Sequence, residues 1–421
     1  MKPSVEHLAT QLEAVLGADA VTSDVASFSI GDTKPKLVCR PHSAEDIAAA
    51  LRLCIEAEAA VIPWGGGTAM AIGNPPRQAD VVIETRKLNR VIEHDHANLT
   101  ATLQGGMTLS ALQTVLAPQR QFVPLDPPFP EHATVGGTVA TNPNGPRRSY
   151  YGSVRDLVIG MRVVLASGEQ IKAGGKVVKN VAGYDLCKLF VGSLGTLGII
   201  TEVTLRMAPI PENAATLIAS GTLTQAEQFS DELFSSPLLP AAVFLLNDGD
   251  TEQWRLAVWC EGFEKTVGRH LRDLGNIAAR VGMNTTPLEG EHHDGFWIKP
   301  RDFPLQPDRL TYRVTLPRAK IFDFIGRAQN WAGMKLSSDL AAGTVWLALP
   351  AHRSSLEKFV ELIELARQQH GHAVVLAAPA ELKQGVEVWG PSPTTISLQR
   401  EIKRQFDPKG LLNPGRLWSG L

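Results

Sequence analysis

The stretch ATVGGTVATNPNG, residues 133–145, contains two adjacent glycines inside an otherwise apolar run that resembles a strand. Glycine weakens a strand, so it marks a place where another backbone or a ligand comes close. Glycines also lie in or beside strand-like sequence in FVGSLGTLGIITEV, residues 190–203, and in PWGGGT, residues 63–68. A β-bulge explains one glycine pair but not the recurrence. Because consecutive N–H groups can face a phosphate where side chains are absent, these loops predict a bound dinucleotide diphosphate.

The PWGGGT segment alone has two interpretations of equal weight, a phosphate loop and an ordinary turn. No Lys-Ser or Lys-Thr pair follows the glycines, so the segment is not a Walker loop. It also lacks the G-x-G-x-x-G pattern that opens a helix in a Rossmann fold. The prediction of a dinucleotide therefore depends on the combined loops.

Composition limits the class of protein. A length of 421 residues with 44% hydrophobic and 20% charged residues predicts a soluble globular protein of two or three domains. The net charge of −2 argues against a general nucleic-acid binder. The N-terminal residues lack the apolar core of a signal peptide, and no apolar run is long enough to span a membrane. The cysteines are too dispersed for a self-contained iron–sulfur cluster or a disulfide framework, namely Cys39, Cys54, Cys187 and Cys260.

The order of the predicted elements indicates an α+β fold in three segments. Residues 1–211 alternate helices with strands, including a helix over 44–59 capped by Ser43. Residues 212–392 contain most of the tryptophans and alternate strand-like with helix-like runs, which predicts a separate α+β cap domain. Residues 393–421 contain one helix and the segment FDPKGLLNPGRL, and we expect them to return to the first domain.

Residues 37–207 resemble the FAD-binding domain of the vanillyl-alcohol oxidase/p-cresol methylhydroxylase (PCMH) superfamily. The resemblance rests on PWGGGT, DPP, ATVGGTVATNPNGPRRSYYGSVRDLVIGMRVVLASGE and GYDLCKLFVGSLGTLGIITEVTLR, which match its motifs in order and spacing. The ending FDPKGLLNPGR resembles the closing segment of the 2-hydroxy-acid oxidase branch. Within that branch the chain is most similar to the smaller FAD-binding subunits of bacterial glycolate oxidases. Those subunits work beside a larger flavin subunit and an iron–sulfur subunit.

The resemblance implies a set of FAD-binding residues. Gly65–Ala69 and Thr134–Gly137 would hold the pyrophosphate, and Gly198–Ile200 would approach the adenine half. Some members of this family have a histidine in the first glycine loop that can bind flavin covalently. This chain has Thr68 at that place, which implies non-covalent FAD. Trp64 replaces a common arginine, and Pro143-Asn144 replace smaller residues. The full expected set is Pro63, Gly65, Gly66, Gly67, Thr68, Ala69, Asp126, Thr134, Val135, Gly136, Gly137, Thr141, Asn142, Gly145, Tyr151, Gly152, Gly195, Gly198, Ile199, Ile200 and Asn413.

The resemblance also implies the oxidation of glycolate to glyoxylate inside a complex, in the cytoplasm or at the periphery of the inner membrane. Catalytic members share a cap motif, H-x-G-D-G-N-x-H, which this chain lacks. We therefore expect an FAD-carrying subunit with little independent turnover. A self-sufficient dehydrogenase for glycolate or D-lactate is the alternative, with His372 as a weak candidate for the base. A scaffold without FAD is the third and least favoured interpretation.

Three clusters of charged or titratable residues have open interpretations. A histidine like His372 more often satisfies a backbone carbonyl than acts as a base. The sequences His292-His293-Asp294 and His370-Gly371-His372 lack a further carboxylate at the spacing of a metal site, so we expect no metal. Arg147-Arg148 would either meet a phosphate or substrate carboxylate or form a solvated surface pair.

Overall fold

The computed structural model describes residues 5–143, 145–175, 185–249, 252–306 and 308–421. The chain divides into two compact units. The first contains Met1–Pro143, Ser153–Pro209 and Lys383–Leu421, and the second contains Asn144–Gly152 and Ile210–Leu382. These limits differ from the predicted boundaries at 211 and 392. The short segment before Ser153 belongs to the second unit because Arg147 and Tyr151 bond to Glu261 there.

The strands of the described chain alternate with helices in the first part and dominate the second unit. In chain order they are β1 Val21–Thr22, β2 Leu37–Cys39, β3 Val61–Trp64, β4 Val81–Glu84, β5 Val91–Asp95, β6 Thr100–Gln104, β7 Gln121–Phe122, β8 Val158–Val164, β9 Gln170–Gly174, β10 Ile199–Arg206, β11 Ala208–Pro209, β12 Asn213–Gly221, β13 Ala242–Asn247, β14 Trp254–Gly262, β15 Asn284–Glu289, β16 Arg309–Thr315, β17 Lys335–Asp339, β18 Thr344–Pro350 and β19 His372–Ala377.

The α-helices of the described chain are mostly amphipathic. They are α1 Val5–Leu16, α2 Ala44–Glu56, α3 Leu109–Leu116, α4 Val135–Thr141, α5 Arg148–Tyr151, α6 Val154–Leu157, α7 Cys187–Phe190, α8 Leu223–Ser235, α9 Glu264–Val281, α10 Gly290–Asp302, α11 Ile321–Ala328, α12 Arg353–Gln368 and α13 Ile396–Phe406. Across the described residues, none of these helices is both long and apolar enough to cross a bilayer.

The first unit contains two main sheets. One has the order β1-β2-β4-β3, with β4 parallel to both β2 and β3, and its strands are largely apolar and buried. Such continuous apolar strands are typical of a parallel sheet covered on both faces. The other sheet is antiparallel, with the order β5-β6-β10-β8-β9. Two of the three glycine-rich segments lie at strand ends in these sheets, since one follows β3 and another precedes β10.

Helix α2 confirms the predicted cap. The Ser43 hydroxyl accepts a hydrogen bond from the Asp46 N–H at 3.0 Å, and the Asp46 carboxylate accepts one from the Ser43 N–H at 3.1 Å. This reciprocal pairing is a capping box, which satisfies two of the N–H groups left free at a helix start. The helix ends at Glu56, three residues earlier than predicted, and Glu58 then takes a positive φ of 50°.

The segment quoted first is a helix, not an interrupted strand. Residues Val135–Thr141 form α4, and the Thr134 hydroxyl accepts from the Gly137 N–H at 3.3 Å. Gly136 allows α4 to lie close to the sheet, because a Cβ there would be 3.0 Å from the Gly105 carbonyl oxygen. The strand-like composition was therefore misleading, since a cap and tertiary packing outweigh local propensity.

The C-terminal segment runs beside β3 within the first unit. Leu412 forms a parallel bridge with Val61, and the Asn413 N–H donates to the Val61 carbonyl at 2.8 Å. The Asn413 side chain donates to the Leu194 carbonyl at 2.6 Å. The two ends of the chain thus share one unit.

The second unit is built on one antiparallel sheet. Its order is β15-β12-β14-β13-β17-β18-β16-β19. Several of its tryptophans are core residues, including Trp254, Trp297 and Trp346, which are all buried. Phe244 contacts both Trp297 and Trp346, with ring centroids 5.5 and 6.1 Å apart. Core packing therefore accounts for these three rings.

Candidate functional site

The first glycine loop follows β3 directly. Between Gly65 and Ala69, no backbone N–H donates a hydrogen bond to another group within the described part of the chain. Gly67 has a φ of 76°, which only glycine adopts without strain. A hollow beside the loop is lined by Ser27, Phe28, Trp64, Gly65, Gly66, Gly67, Thr68, Glu84, Arg86, Phe129 and His132. Consecutive free N–H groups of this kind form an anion-binding concavity.

The first glycine loop packs directly against the residues that precede α4. A Cβ added to Gly66 would lie 1.7 Å from the His132 carbonyl oxygen, and one added to Gly65 would lie 2.2 Å from the Thr134 hydroxyl. Both values are far inside van der Waals contact. The structure therefore brings together two segments that are distant in sequence and that were predicted to share one ligand.

The backbone at the start of α4 is already hydrogen-bonded within the protein. The Val135 N–H donates to the Met107 carbonyl at 2.8 Å, and the Gly136 N–H donates to the Gly105 carbonyl at 2.7 Å. The Gly137 N–H is used by the cap. These three donors are thus occupied, whereas those of the first glycine loop are not.

The third glycine segment has mainly packing roles. Gly195, with a φ of 69°, lies against Pro63, since its Cβ would be 3.1 Å from the Pro63 ring. A Cβ on Gly198 would lie 2.5 Å from the Val163 side chain, so close strand packing requires that glycine. Ile199 and Ile200 are buried, and their side chains belong to the hydrophobic cores of the first unit. Gly183 and Tyr184, in the same matching segment, lie outside the described residues, as does Asn144.

Several buried polar atoms near the end of α4 have no partner among the residues that the structure describes. The loop after Phe190 is tied to α4 by two bonds, from the Gly192 N–H to the Val139 carbonyl at 3.0 Å and from the Leu194 N–H to the Ala140 carbonyl at 2.8 Å. Asn413 also bonds to this loop. The unpaired atoms of these segments are Thr138 Oγ1, Asn142 Oδ1, Ser193 Oγ and Asn413 Oδ1. Buried oxygens of this kind require partners, so they indicate a polar ligand or ordered water.

Thr138 and Ser193 were missed by the sequence analysis. Their signal was a small hydroxyl residue next to a glycine, which is too common to single out. The structure also shows the surroundings of two predicted residues, Thr141 and Asp126. Thr141 donates its hydroxyl to the Gly137 carbonyl at 2.8 Å, one turn earlier in its own helix. Asp126 is partly buried in the proline-bracketed turn before α4.

Three of the predicted FAD-binding residues, Gly145, Tyr151 and Gly152, belong to the second unit. The Tyr151 hydroxyl donates to the Glu261 carboxylate, and burial together with this carboxylate raises the pKa of Tyr151. Arg147 lies 3.6 Å from the other carboxylate oxygen of Glu261 and 4.7 Å from the Trp259 ring centroid. Arg147 therefore anchors α5 to the sheet rather than forming a solvated pair.

The predicted histidines have separate environments. His372 is the first residue of β19, where it pairs with Thr315, and the residue as a whole is exposed. Partial burial of its ring and the charge of Arg313 both lower its pKa. His293 is buried with its Nδ1 2.8 Å from the Thr216 hydroxyl, which also accepts from the Trp297 indole at 2.8 Å. Among the described residues, no three metal-ligating side chains cluster together.

The segments that form this site match known proteins. Residues 35–174 match the FAD binding domain, and residues 390–417 match the C-terminal domain of FAD linked oxidases. The glycolate oxidase subunit GlcE of Escherichia coli is 30% identical over 347 residues, which cover 80% of this chain and 87% of that protein. The chain belongs to the FAD-linked oxidoreductase family. The GlcD subunit of Bacillus subtilis is 29% identical over 430 residues, covering 91% of this chain and 89% of the relative.

The fold of this FAD-linked oxidoreductase is the predicted PCMH-type α+β fold. The solved structure of p-cresol methylhydroxylase superposes with a TM-score of 0.74 at 15% identity, covering 98% of this chain and 96% of that one. The cofactor is FAD, as the resemblance implied. The free N–H groups of Gly65–Ala69 suit its diphosphate, and the unpaired buried oxygens suit its hydroxyl and amide groups. FAD would supply the hydride acceptor, while the chain would bind and orient it.

Proposed function

We propose that this chain is the FAD-binding subunit of a glycolate oxidase-type complex. The complex would oxidise glycolate to glyoxylate and pass the electrons to an iron–sulfur partner subunit. The proposed flavin-binding role rests on the run of free N–H groups at Gly65–Ala69. This loop packs against the segment before α4. Similarity to two glycolate oxidase subunits supports the substrate class.

The assignment of electron transfer to a partner rests on the cysteines and on the missing cap motif. The four cysteines are buried free thiols, and burial raises the pKa of Cys39 to about 12 and that of Cys187 to about 11. Such thiols are poor metal ligands because the thiolate is the ligating form. An iron–sulfur cluster would therefore be held by another subunit.

The test is co-purification from the native operon, followed by anaerobic dye reduction with glycolate. We expect the complex to reduce the dye and the isolated flavin-loaded chain to do so much more slowly. The matched control is the same complex with D-lactate in place of glycolate. Full activity from the isolated chain would contradict the subunit role, and an inactive complex with bound FAD would contradict the substrate.

A second candidate is a self-sufficient FAD-dependent dehydrogenase for glycolate or D-lactate. It is favoured by His372, which is exposed at the edge of the second unit's sheet and whose pKa is lowered by partial burial and by the charge of Arg313. A neutral imidazole can accept the hydroxyl proton. Under this hypothesis, glycolate or D-lactate bleaches the flavin of the isolated chain within milliseconds to seconds, and His372→Gln slows the bleaching. An unchanged rate in His372→Gln would exclude that base.

A further inference from the structure

The segment that follows the first glycine loop is held by two buried cationic side chains, Arg416 and Lys383. We call this segment, residues 70–74, the carbonyl segment, because all five of its backbone carbonyls accept a hydrogen bond from one of the two cations. The acceptors are the carbonyls of Met70, Ile72 and Asn74 for Arg416, at 2.5 to 3.0 Å, and those of Ala71 and Gly73 for Lys383. The two cations therefore bind alternate carbonyls of one stretch of backbone.

Neither cation has a carboxylate partner within the residues that the structure describes, although Lys383 is only 4% and Arg416 only 2% exposed. The buried Lys403 differs, because its ammonium is paired with Asp407. Burial and the charge of Arg416 lower the pKa of Lys383 to about 7, and burial lowers that of Arg416 to about 10. Because an unpaired charge is costly to bury, two of them in one place indicate that a bound group supplies negative charge.

The carboxylates of neighbouring residues bond elsewhere. Glu387 accepts from the asparagine side chain of the carbonyl segment at 2.9 Å, and Asp32 accepts from the Gln384 side chain at 3.1 Å. Glu381, which precedes Lys383 by two residues, is exposed. The carbonyl segment itself contains no titratable side chain. The arginine that shares this segment is therefore the charged group that acts on Lys383.

The carbonyl segment begins directly after Gly65–Ala69 and is bonded back to that loop. The Ile72 N–H donates to the Ala69 carbonyl at 3.0 Å. At its other end the segment is fixed to the C-terminal part of the chain, since the Asn74 N–H donates to the Arg416 carbonyl at 3.2 Å. The contacts of the two cations are thus transmitted to the loop whose free N–H groups suit a diphosphate.

We propose that Lys383 and Arg416 are positioning residues for FAD, which fix the first glycine loop through the carbonyl segment and offset the charge of the diphosphate. The inference rests on the proposed flavin-binding role of Gly65–Ala69 and not on the identity of the substrate. Charges interact strongly where water is excluded, so two buried cations favour a nearby anion.

The two roles of Lys383 differ in their dependence on pH. A neutral amine still donates hydrogen bonds to carbonyls, whereas attraction to the diphosphate requires the ammonium form. A bound anion favours that charged form. FAD affinity is therefore highest below the pKa of Lys383 and falls as pH rises through it.

The test is the affinity of the apoprotein for FAD at pH 6, 7.5 and 9, measured by flavin fluorescence. The variants are Lys383→Met, which removes the charge, and Lys383→Arg, which keeps it throughout this range. Lys409→Met is the matched control, because Lys409 is exposed and donates to the Ile55 carbonyl. The melting temperature of each apoprotein at each pH shows whether it is folded.

We expect the wild type and Lys409→Met to bind FAD about tenfold more weakly at pH 9 than at pH 6, because Lys383 loses its proton in this window. Lys383→Met should bind about tenfold more weakly than the wild type at pH 6 and should show no further fall at pH 9. Lys383→Arg should also show no fall, because its charge persists.

Arg416 is tested by rescue with a conservative variant. Arg416→Met should weaken FAD binding about tenfold at pH 7.5, and Arg416→Lys should recover part of that loss because it keeps a positive charge. Where an arginine variant does not fold, the pH profiles of the lysine variants decide the question.

The results that would overturn the proposal are specific to these profiles. They are the absence of a fall in the wild type, the same fall in Lys383→Met or Lys383→Arg as in the wild type, and equal affinity of Arg416→Met and the wild type. A lysine with a purely structural role would give the first or second result. Failure of the proposed function appears separately, as a flavin-loaded complex that does not oxidise glycolate.

Discussion

Gly66 shows how one residue couples folding to cofactor binding. A Cβ at this position would lie 1.7 Å from the His132 carbonyl oxygen, and backbone cannot move aside as a flexible side chain does. We expect Gly66→Ala to lose roughly 1–3 kcal/mol of unfolding free energy, as overpacking commonly does, and to release most of its FAD. Urea unfolding and the flavin absorbance of the purified protein measure both effects.

The control for Gly66→Ala is Gly275→Ala in the middle of α9. A Cβ at Gly275 meets no atom within 4 Å, so alanine there restricts only the unfolded chain. It should stabilise the protein by about 0.4–1 kcal/mol without changing its flavin content. Full flavin retention in Gly66→Ala would show that the contact between the two loops is unnecessary for the cofactor.

Arg147 and Glu261 form a buried ion pair whose disruption should be costly. Their side chains are 12% and 2% exposed, and Tyr151 also donates to the carboxylate. Arg147→Met leaves a buried carboxylate without its cation, so we expect a loss of roughly 3–5 kcal/mol in unfolding free energy. The exposed pair of Arg269 and Asp273 provides the comparison, where Arg269→Met should cost less than about 1 kcal/mol. Equal losses in the two variants would mean that Arg147 is not an anchor.

Asp339 should make stability depend on pH in a defined direction. Burial raises the pKa of Asp339 to about 7, although hydrogen bonds from the Ala342 and Ala341 N–H groups and the charge of Arg148 oppose this shift. Between about pH 4 and pH 7 the unfolded chain carries the charged form while the folded protein holds the neutral form. The unfolding free energy therefore falls as pH rises through this window, by up to about 4 kcal/mol, and this group adds no change above it.

The variant Asp339→Asn removes the titrating group, so its stability should exceed that of the wild type increasingly from pH 4 to pH 7. Urea unfolding at pH 4.5, 6 and 8 measures the difference, and the exposed Asp273→Asn is the control. A constant difference across these values would show that Asp339 titrates in its ordinary range.

At the level of elements, the comparison of α2 with α4 shows what sequence can predict. Helix α2 was predictable because Ser43 and Asp46 encode its start locally. Helix α4 was not, because its two glycines resemble a strand interruption and its stability comes from packing against β10 and Gly105. The glycines themselves were recognisable, but their reasons differ. Gly136 and Gly198 allow close packing against other protein atoms, whereas Gly65 and Gly66 combine close packing with a loop whose N–H groups are free.

The order of the strands in the second unit was likewise beyond the sequence analysis. Thr311, Arg313, Ser337 and Asp339 come from two strands that are neighbours of β18 but distant along the chain. The alternation of side-chain direction along a strand predicts which of its residues share a face, but it does not predict which strands are adjacent. Only the sheet order brings these side chains together.

Helix α13 holds the C-terminal segment through one buried lysine. Lys403 is 9% exposed, and its ammonium donates to the Thr196 carbonyl at 2.7 Å, to the Leu412 carbonyl at 2.9 Å and to Asp407. Lys403→Met would leave the fully buried Asp407 carboxylate without its cation, which typically costs about 3–5 kcal/mol. Lys403 holds the Leu412 carbonyl, and the next residue is Asn413, which is one of the predicted FAD-binding residues. FAD affinity should therefore fall as well.

The matched control for Lys403→Met is Lys409→Met in the same segment. Lys409 is exposed and donates to the Ile55 carbonyl, so its loss should change the unfolding free energy by less than about 0.5 kcal/mol. Thermal unfolding and flavin titration of both variants measure the contrast. Unchanged FAD affinity in a destabilised Lys403→Met would separate the C-terminal segment from the cofactor site.

At the scale of the whole molecule, the chain combines a unit that contains most of the match to the FAD binding domain with a second unit built on one antiparallel sheet. The first and last parts of the sequence build the first unit, and the middle builds the second. The sequence motifs identified the first unit because main-chain contacts to a diphosphate demand glycine at fixed places. They do not cover the second unit, which the composition and the alternation of strand-like and helix-like runs predicted only as an α+β domain.

The way FAD is attached is the last whole-molecule prediction. The residue that could bind flavin covalently in related proteins is Thr68 here, and a hydroxyl does not form that bond. Acid precipitation should therefore release all of the yellow chromophore into the supernatant, because only reversible contacts hold it. Refolded or dialysed apoprotein should then bind added FAD with saturation and regain its absorbance. A flavin that stays in the acid precipitate would contradict non-covalent binding, and mass spectrometry of its peptides would locate the attached residue.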